Sequence, residues 1–238
     1  MARHAYFRRY LIAGLFSGGL PVLMSQAWAA TITEQGKTIA ATGSAGVLAC
    51  ASCHGAQGEG VAAAGFPYLA GQGEAYLALQ LQNFAKGERS NPIMTPIAKA
   101  MNSDQIKAVT AYYSQLPAAF DKKALSAHVD TYPRKDALGA WLANRGDWKH
   151  DIPACVQCHG PGGVGVGETF PALAGLSAKY IHEQLLAWKE KKRAPGPLAL
   201  MGAIAARMNG AQMTAVADYF ATLPASVSGS SAHKQGAK

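Results

Sequence analysis

The sequence predicts an all-α protein built from two tandem units, on three observations. CASCH at 50–54 returns as CVQCH at 155–159, an offset of 105, and self-similarity at a fixed spacing marks a repeated structural unit. Residues near both copies recur at helical spacing, with Tyr76, Gln80, Leu81 and Phe84 at i, i+4, i+5 and i+8. No alternating run of β-branched residues, the mark of a half-buried strand, interrupts them.

Along the chain, residues 1–29 stand apart as an expected signal peptide. Arg3, Arg8 and Arg9 without an acid precede the apolar run Leu11 to Met24, and Ala27-Trp28-Ala29 follows it. That is the layout of a cleavable secretory signal. A permanent spanning helix needs about 20 apolar residues, and this run is broken by Gly18, Gly19 and Pro21.

The first unit is expected over residues 30–117. Gly36, Ile39, Ala40 and Gly43 lie in its opening helix, the motif at 50–54 follows, and a glycine-rich connector covers 55–65. The helix carrying Tyr76 to Phe84 comes next. Ile106, Val109, Tyr113 and Leu116, at i, i+3, i+7 and i+10, trace one face of the last helix, which Pro117 should stop. Residues 118–135, with Lys122-Lys123, Pro133 and few periodic apolar groups, read as a linker holding one short element.

The second unit, expected over 136–224, repeats these parts in order. Gly139, Leu142, Ala143 and Gly146 answer the opening helix, and FPALAG at 170–175 answers FPYLAG at 66–71. Tyr180, Gln184, Leu185 and Trp188 answer Tyr76, Gln80, Leu81 and Phe84. MNGAQMTAVADYFATLP at 208–224 answers MNSDQIKAVTAYYSQLP at 101–117, with Pro224 as the expected stop. Residues 225–238, rich in Ser, Gly, Ala and Lys, read as a flexible tail. Units of about 90 residues bury modest cores, so each should gain from a tightly held apolar cofactor.

The five-residue motif says which cofactor that is. C-x-x-C-H is the attachment pattern of c-type haem. Two thiols three residues apart on one helical turn reach the two vinyl groups on one porphyrin edge, and the adjacent imidazole turns under the ring to the iron. Cys50 and Cys53 with His54, and Cys155 and Cys158 with His159, are the expected thioether residues and proximal ligands of two covalently bound haem c groups. A thioredoxin-like pair would want a βαβ context. A zinc site would want a fourth ligand, which neither copy supplies at a regular position.

Methionine is the usual sixth ligand that raises the potential of such haems. Two methionine pairs repeat at an offset of 107, Met94 with Met201 and Met101 with Met208. Met94 lies between Pro92 and Pro96, and Met201 follows Pro195 and Pro197, so both are expected in turns that present a side chain to a haem face. Met101 and Met208 fall at the start of the last helix, where a buried methionine fills a gap. Met94 and Met201 are therefore the expected axial ligands. His128, His150, His182 and His233 have no repeat counterpart and read as surface or linker residues. Arg89 and Arg193, 104 apart, are open to two readings, haem propionate partners or solvated arginines.

CASCH and CVQCH, FPYLAG and FPALAG, and the segments MTPIAKAM and MGAIAARM together resemble the dihaem cytochrome c4 family over about residues 36–224. The resemblance implies two class I cytochrome c domains in one exported, periplasmic chain. It implies that the methionine opening each of the last two segments, Met94 and Met201, is the axial ligand, and that Pro67 and Pro171 support the proximal histidines through the backbone. It also implies an electron carrier between a dehydrogenase or cytochrome bc-type complex and a terminal oxidase or other acceptor.

Charge distribution bears on the partners. Removing residues 1–29 takes the formal charge from +8 to +5. Residues 30–120 hold five basic and five acidic groups, whereas 121–238 hold fourteen and nine. Without aromatic residues interleaved among the basic ones, the excess does not point to nucleic acid. It points to an acidic redox protein or a membrane surface. The competing function is a dihaem enzyme, a peroxidase or a thiosulfate-oxidising cytochrome, which would need one open or unusually ligated iron. Both copies offer methionine and no cysteine is left over, so the expectation is a carrier rather than an enzyme.

Overall fold

A computed structural model of the chain describes residues 20–127 and 133–234. The first unit comprises α1 (Leu20–Thr42), α2 (Ala51–His54), α3 (Glu74–Lys86), α4 (Met94–Ala100) and α5 (Ser103–Gln115). After α6 (Lys122–Ala127) come α7 (Leu138–Arg145), α8 (Val156–His159), α9 (Ala178–Lys189), α10 (Leu200–Arg207) and α11 (Gly210–Lys234). Among the described residues no strand forms, and five isolated bridges are the only β pairing. Most of the expected signal, residues 1–19, lies outside the described residues, as does His128. None of the described helices is long and apolar enough to cross a membrane.

The same crossing organises both units. A Cβ on Gly36 would stand 2.0 Å from the Ala108 carbonyl oxygen, and one on Gly139 would stand 2.1 Å from that of Ala215. Only a glycine lets α1 lie on α5, and α7 on α11, at this separation. The crossing helices start alike. Asn102 and Gln105 exchange side chain and backbone hydrogen bonds of 2.9 Å at the start of α5, and Asn209 and Gln212 do the same at the start of α11. This reciprocal cap satisfies two amides that a helix start leaves without partners.

Two parts of the chain depart from the expected pattern. Pro117 follows the end of α5 as expected, but α11 runs through Pro224 to Lys234. A proline removes one N–H from the ladder, and a helix can continue past that single missing bond. The linker is also more firmly built than its polar composition suggests. Leu125 of α6 is 2% exposed and belongs to the second unit's core, where its backbone packs over Gly162. On the other side, Lys122 Nζ donates to the Gly71 carbonyl at 2.9 Å.

The units meet along FPYLAG and FPALAG. The Tyr68 hydroxyl donates to the Ala174 carbonyl at 3.0 Å, and Gln72 bonds both the carbonyl and the amide of Ala172, at 3.1 and 2.9 Å. Tyr68 is so placed that it packs within the second unit's core, edge-on to Phe120.

Candidate functional site

Each motif folds as one helical turn. The amides of Cys53 and His54 both donate to the Cys50 carbonyl, at 3.2 and 2.9 Å, and those of Cys158 and His159 donate to Cys155, at 3.3 and 3.0 Å. One turn brings two thiols and an imidazole to one side of the chain. Gly55 and Gly160, with φ of 85° and 78°, then turn the backbone away through a conformation that favours glycine.

The imidazoles are held identically. His54 Nδ1 lies 2.8 Å from the Pro67 carbonyl, and His159 Nδ1 lies 2.7 Å from that of Pro171. A carbonyl only accepts, so Nδ1 carries the proton and Nε2 keeps its lone pair for a metal. Burial lowers both imidazole pKa values despite these bonds, which favours the neutral ring a metal needs. Phe66 and Phe170 stand beside the two rings, with centroids 6.2 and 6.3 Å away.

A cavity of about 840 Å³ lies in the first unit and is walled on one side by α9 of the second; Cys50, Cys53, His54, Met94 and Met101 line it. That volume falls in the range of small-molecule and cofactor sites. The walls add Leu77, Leu81, Phe84, Ile97 and Val109, and Tyr76, Gln80, Arg89, Tyr180, Gln184 and Arg193 supply polar groups. Thiols, a neutral imidazole and a thioether around an apolar hollow form the donor set that fits haem c. Burial raises the Cys50 thiol against a lowering from Tyr113, and pushes the Cys155 thiol up to about 12. No disulfide competes for the cysteines.

Met94 and Met201 sit at helix starts rather than in the expected turns. Met94 is the first residue of α4, where Asn91 Oδ1 accepts from the amides of Ile93 and Met94, both at 2.9 Å. Met201 is the second residue of α10 and packs partly buried against the second core. Met208 is buried within that core, and Met101 packs half-buried beside Ile39 and Val109. His150 stays at the surface, bonded to Asp147 at 2.7 Å. Among the described residues no cluster of three or more His, Cys, Asp or Glu side chains is placed to hold a further metal.

Sequence reasoning missed the polar seam: Gln80, Gln184, Tyr68 and Gln72. The available signal was a glutamine recurring at one position of an otherwise apolar helix face.

The cytochrome c family model matches residues 33–117 and 150–224. The chain is 47% identical over 190 residues to the thiosulfate dehydrogenase electron acceptor of Thiomonas intermedia, covering 78% of this chain and 83% of that protein. It is 34% identical over 182 residues to cytochrome c4 of Pseudomonas aeruginosa, covering 76% and 86%. Among solved structures, thiosulfate dehydrogenase from Marichromatium purpuratum superposes with a TM-score of 0.70 at 45% identity, over 80% of this chain but only 40% of that longer one. Reduced cytochrome c4 from Pseudomonas stutzeri superposes at 0.63 with 29% identity, over 79% and 97%.

Proposed function

The chain belongs to the cytochrome c family as a dihaem, cytochrome c4-like electron-transfer protein with two covalently bound haem c groups, and on that premise we propose that it carries single electrons in the periplasm from a thiosulfate-oxidising dehydrogenase to a terminal oxidase or other acceptor. Bound haem iron supplies the one-electron couple. In this reading Cys50, Cys53, Cys155 and Cys158 hold the haems, His54 and His159 are proximal ligands, and Met94 and Met201 fill the sixth positions. The units act over residues 30–117 and 136–224, after removal of 1–29.

The observation that carries the proposal is the donor set of the first cavity, where the neutral His54 imidazole and the Met94 and Met101 thioethers stand with the Cys50 and Cys53 thiols. Two protein ligands on each iron leave no coordination position for a substrate, so the protein has only electrons to exchange. Pro67 and Pro171 fix the imidazole rings, which limits ligand rearrangement between oxidation states. Leu48 and Ile93 are exposed while also lining the first cavity, and give a partner a dry contact beside it. The 47% identity to a thiosulfate dehydrogenase electron acceptor supports that choice of donor.

The test is stopped-flow reduction of the ferric holoprotein by thiosulfate, with and without a thiosulfate dehydrogenase. Both haems should reduce only when the dehydrogenase is present, and the reduced protein should not bind carbon monoxide. Catalytic thiosulfate oxidation by this chain alone, or ready carbon monoxide binding at one haem, overturns the carrier reading in favour of a dihaem enzyme.

A further inference from the structure

The two units start equivalent helices by different means. At the start of α9 the Ser177 hydroxyl accepts from the Tyr180 amide at 3.2 Å, a cap supplied by the helix's own chain. The repeat places Gly73 at that position before α3, and glycine has no side chain to offer. Glu168 of the second unit takes the role instead. Its Oε2 accepts from the Glu74 amide at 2.6 Å, and its carbonyl accepts from the Tyr76 amide at 2.8 Å. A helix start leaves its first amides without partners inside the helix, and one residue from across the seam serves two of them here. A carboxylate also suits the positive end of the helix dipole.

The cap runs one way. Val61 and Phe66 close a loop in the first unit, and Val166 and Phe170 close its counterpart in the second. The first loop is Ala62-Ala63-Ala64-Gly65, with no acid, whereas the second is Gly167-Glu168-Thr169. Gly73 leaves the room that Glu168 needs. Its φ of −61° suits any residue, yet a Cβ there would stand 2.4 Å from the Glu168 carbonyl oxygen. The approach of Glu168, not the backbone conformation, therefore requires glycine. The arm that carries Glu168 is firm, because Val166 and Phe170 exchange backbone bonds of 3.0 and 3.3 Å and Pro171, next along, holds His159.

What Glu168 holds is a wall of the first cavity. Tyr76, Leu77, Gln80, Leu81 and Phe84 of α3 line it, and Tyr76 and Leu77 lie in the turn that Glu168 caps. Further along, α3 is anchored separately. Arg89 and Arg193, buried rather than solvated, both donate to Gln80 Oε1, at 3.0 and 2.7 Å, and Arg89 donates to Gln184 Oε1 at 2.8 Å.

We propose that Glu168 is a positioning residue for the first unit's haem: supplied by the second unit, it fixes the first turn of α3 against the cavity, so that the first haem is fully shielded from water only while the units are docked. The proposal rests on the haem placement given above. Water near a haem favours the ferric state, which carries the extra charge, so burial is one determinant of the potential. A loosened first turn of α3 therefore lowers the potential of the first haem and leaves that of the second in place.

Redox titration of the holoprotein followed by NMR, which resolves the haem methyl signals of each unit, tests this with Glu168→Ala. The first haem's potential should fall while the second's holds. Hydrogen exchange of residues 74–77 should quicken roughly fivefold, the effect of losing an ordinary helix cap. Glu168→Gln keeps an acceptor oxygen and should stay near the parent in both readings. Gly73→Ala reaches the same contact from the other side without touching the carboxylate. It should lower the same potential, and adding it to Glu168→Ala should shift that potential little further. Parent potentials in Glu168→Ala or in Gly73→Ala, or equal shifts of both haems, overturn the positioning role. Faster exchange with unchanged potentials does so too, by reducing Glu168 to a structural cap. Carbon monoxide binding and reduction by the dehydrogenase are read independently, so failure here is distinguishable from failure of the carrier proposal.

Discussion

The two units hold their motifs alike and their methionines differently. His54 and His159 use the same proline carbonyl, and Gly36 and Gly139 permit the same helix crossing. Met94 comes five positions after Arg89, whereas Met201 comes eight after Arg193. The short segment is tied down by Asn91, whose own amide also donates to Thr95 Oγ1 at 3.0 Å. The longer one passes through Leu198 and Ala199 in the left-handed region, at φ of 56° and 55°. The lesson is that the attachment geometry tolerates little variation in either unit, while the approach to the methionine can be built tight or strained.

The contrast is broken most severely at the linker. Leu125→Ala opens a hole in the second unit's core and should cost about 2–5 kcal/mol. Lys122→Ala, which removes only an exposed bond to Gly71, should change stability by less than about 0.5 kcal/mol. Denaturant unfolding followed through the haem bands measures both. Comparable losses from the two variants would mean that α6 belongs equally to both units.

The methionine segments sharpen the comparison at smaller magnitude and with opposite signs. Asn91→Ala strips the partner from two amides and should cost about 1 kcal/mol. Leu198→Gly should stabilise by up to about 1 kcal/mol, because a left-handed leucine carries a penalty of roughly 1–2 kcal/mol that glycine avoids, less the added freedom of the unfolded chain. Leu198 is 89% exposed, so little packing is lost. Thermal unfolding gives the sign, and imidazole titration of the ferric protein tells which haem loosens. Destabilisation by Leu198→Gly would mean that the exposed leucine makes a contact worth more than its strain.

These differences explain what was legible in the sequence. The helices, the repeat and the attachment residues are local, and C-x-x-C-H must keep its spacing because thiols and imidazole serve one ring. The seam is not local. Tyr68 meets Ala174, and Arg89 meets Gln184, across about a hundred residues, and an offset of 104 signals equivalence between positions without saying that they touch. Leu125 is the one large apolar residue of the DKKALSA segment at 121–127 and shows no period, so its burial in the second core leaves no mark in the sequence. The prolines near Met94 and Met201 favour turns at both methionines. Proline is tolerated in the first helical turn, so α4 begins at Met94 with Pro96 inside that turn, whereas Pro195 and Pro197 both lie before α10 begins at Leu200.

The smallest test concerns one oxygen atom. Tyr113 in α5 corresponds to Phe220 in α11, and both rings sit against a connector glycine, Gly58 or Gly163. The Tyr113 hydroxyl is buried with no nitrogen or oxygen partner and stands beside the Cys50 sulfur. A thioether sulfur accepts hydrogen bonds weakly, so attachment of haem through Cys50 returns little of the hydroxyl's desolvation cost. Tyr113→Phe should therefore change stability by less than about 1 kcal/mol, whereas Phe220→Tyr, which inserts a hydroxyl into a filled core, should cost roughly 1–3 kcal/mol. Thermal unfolding of the two holoproteins decides it. If Tyr113→Phe costs as much as Phe220→Tyr, the hydroxyl has a partner in the haem-loaded protein, and the first unit's attachment site differs from the second in more than its outline.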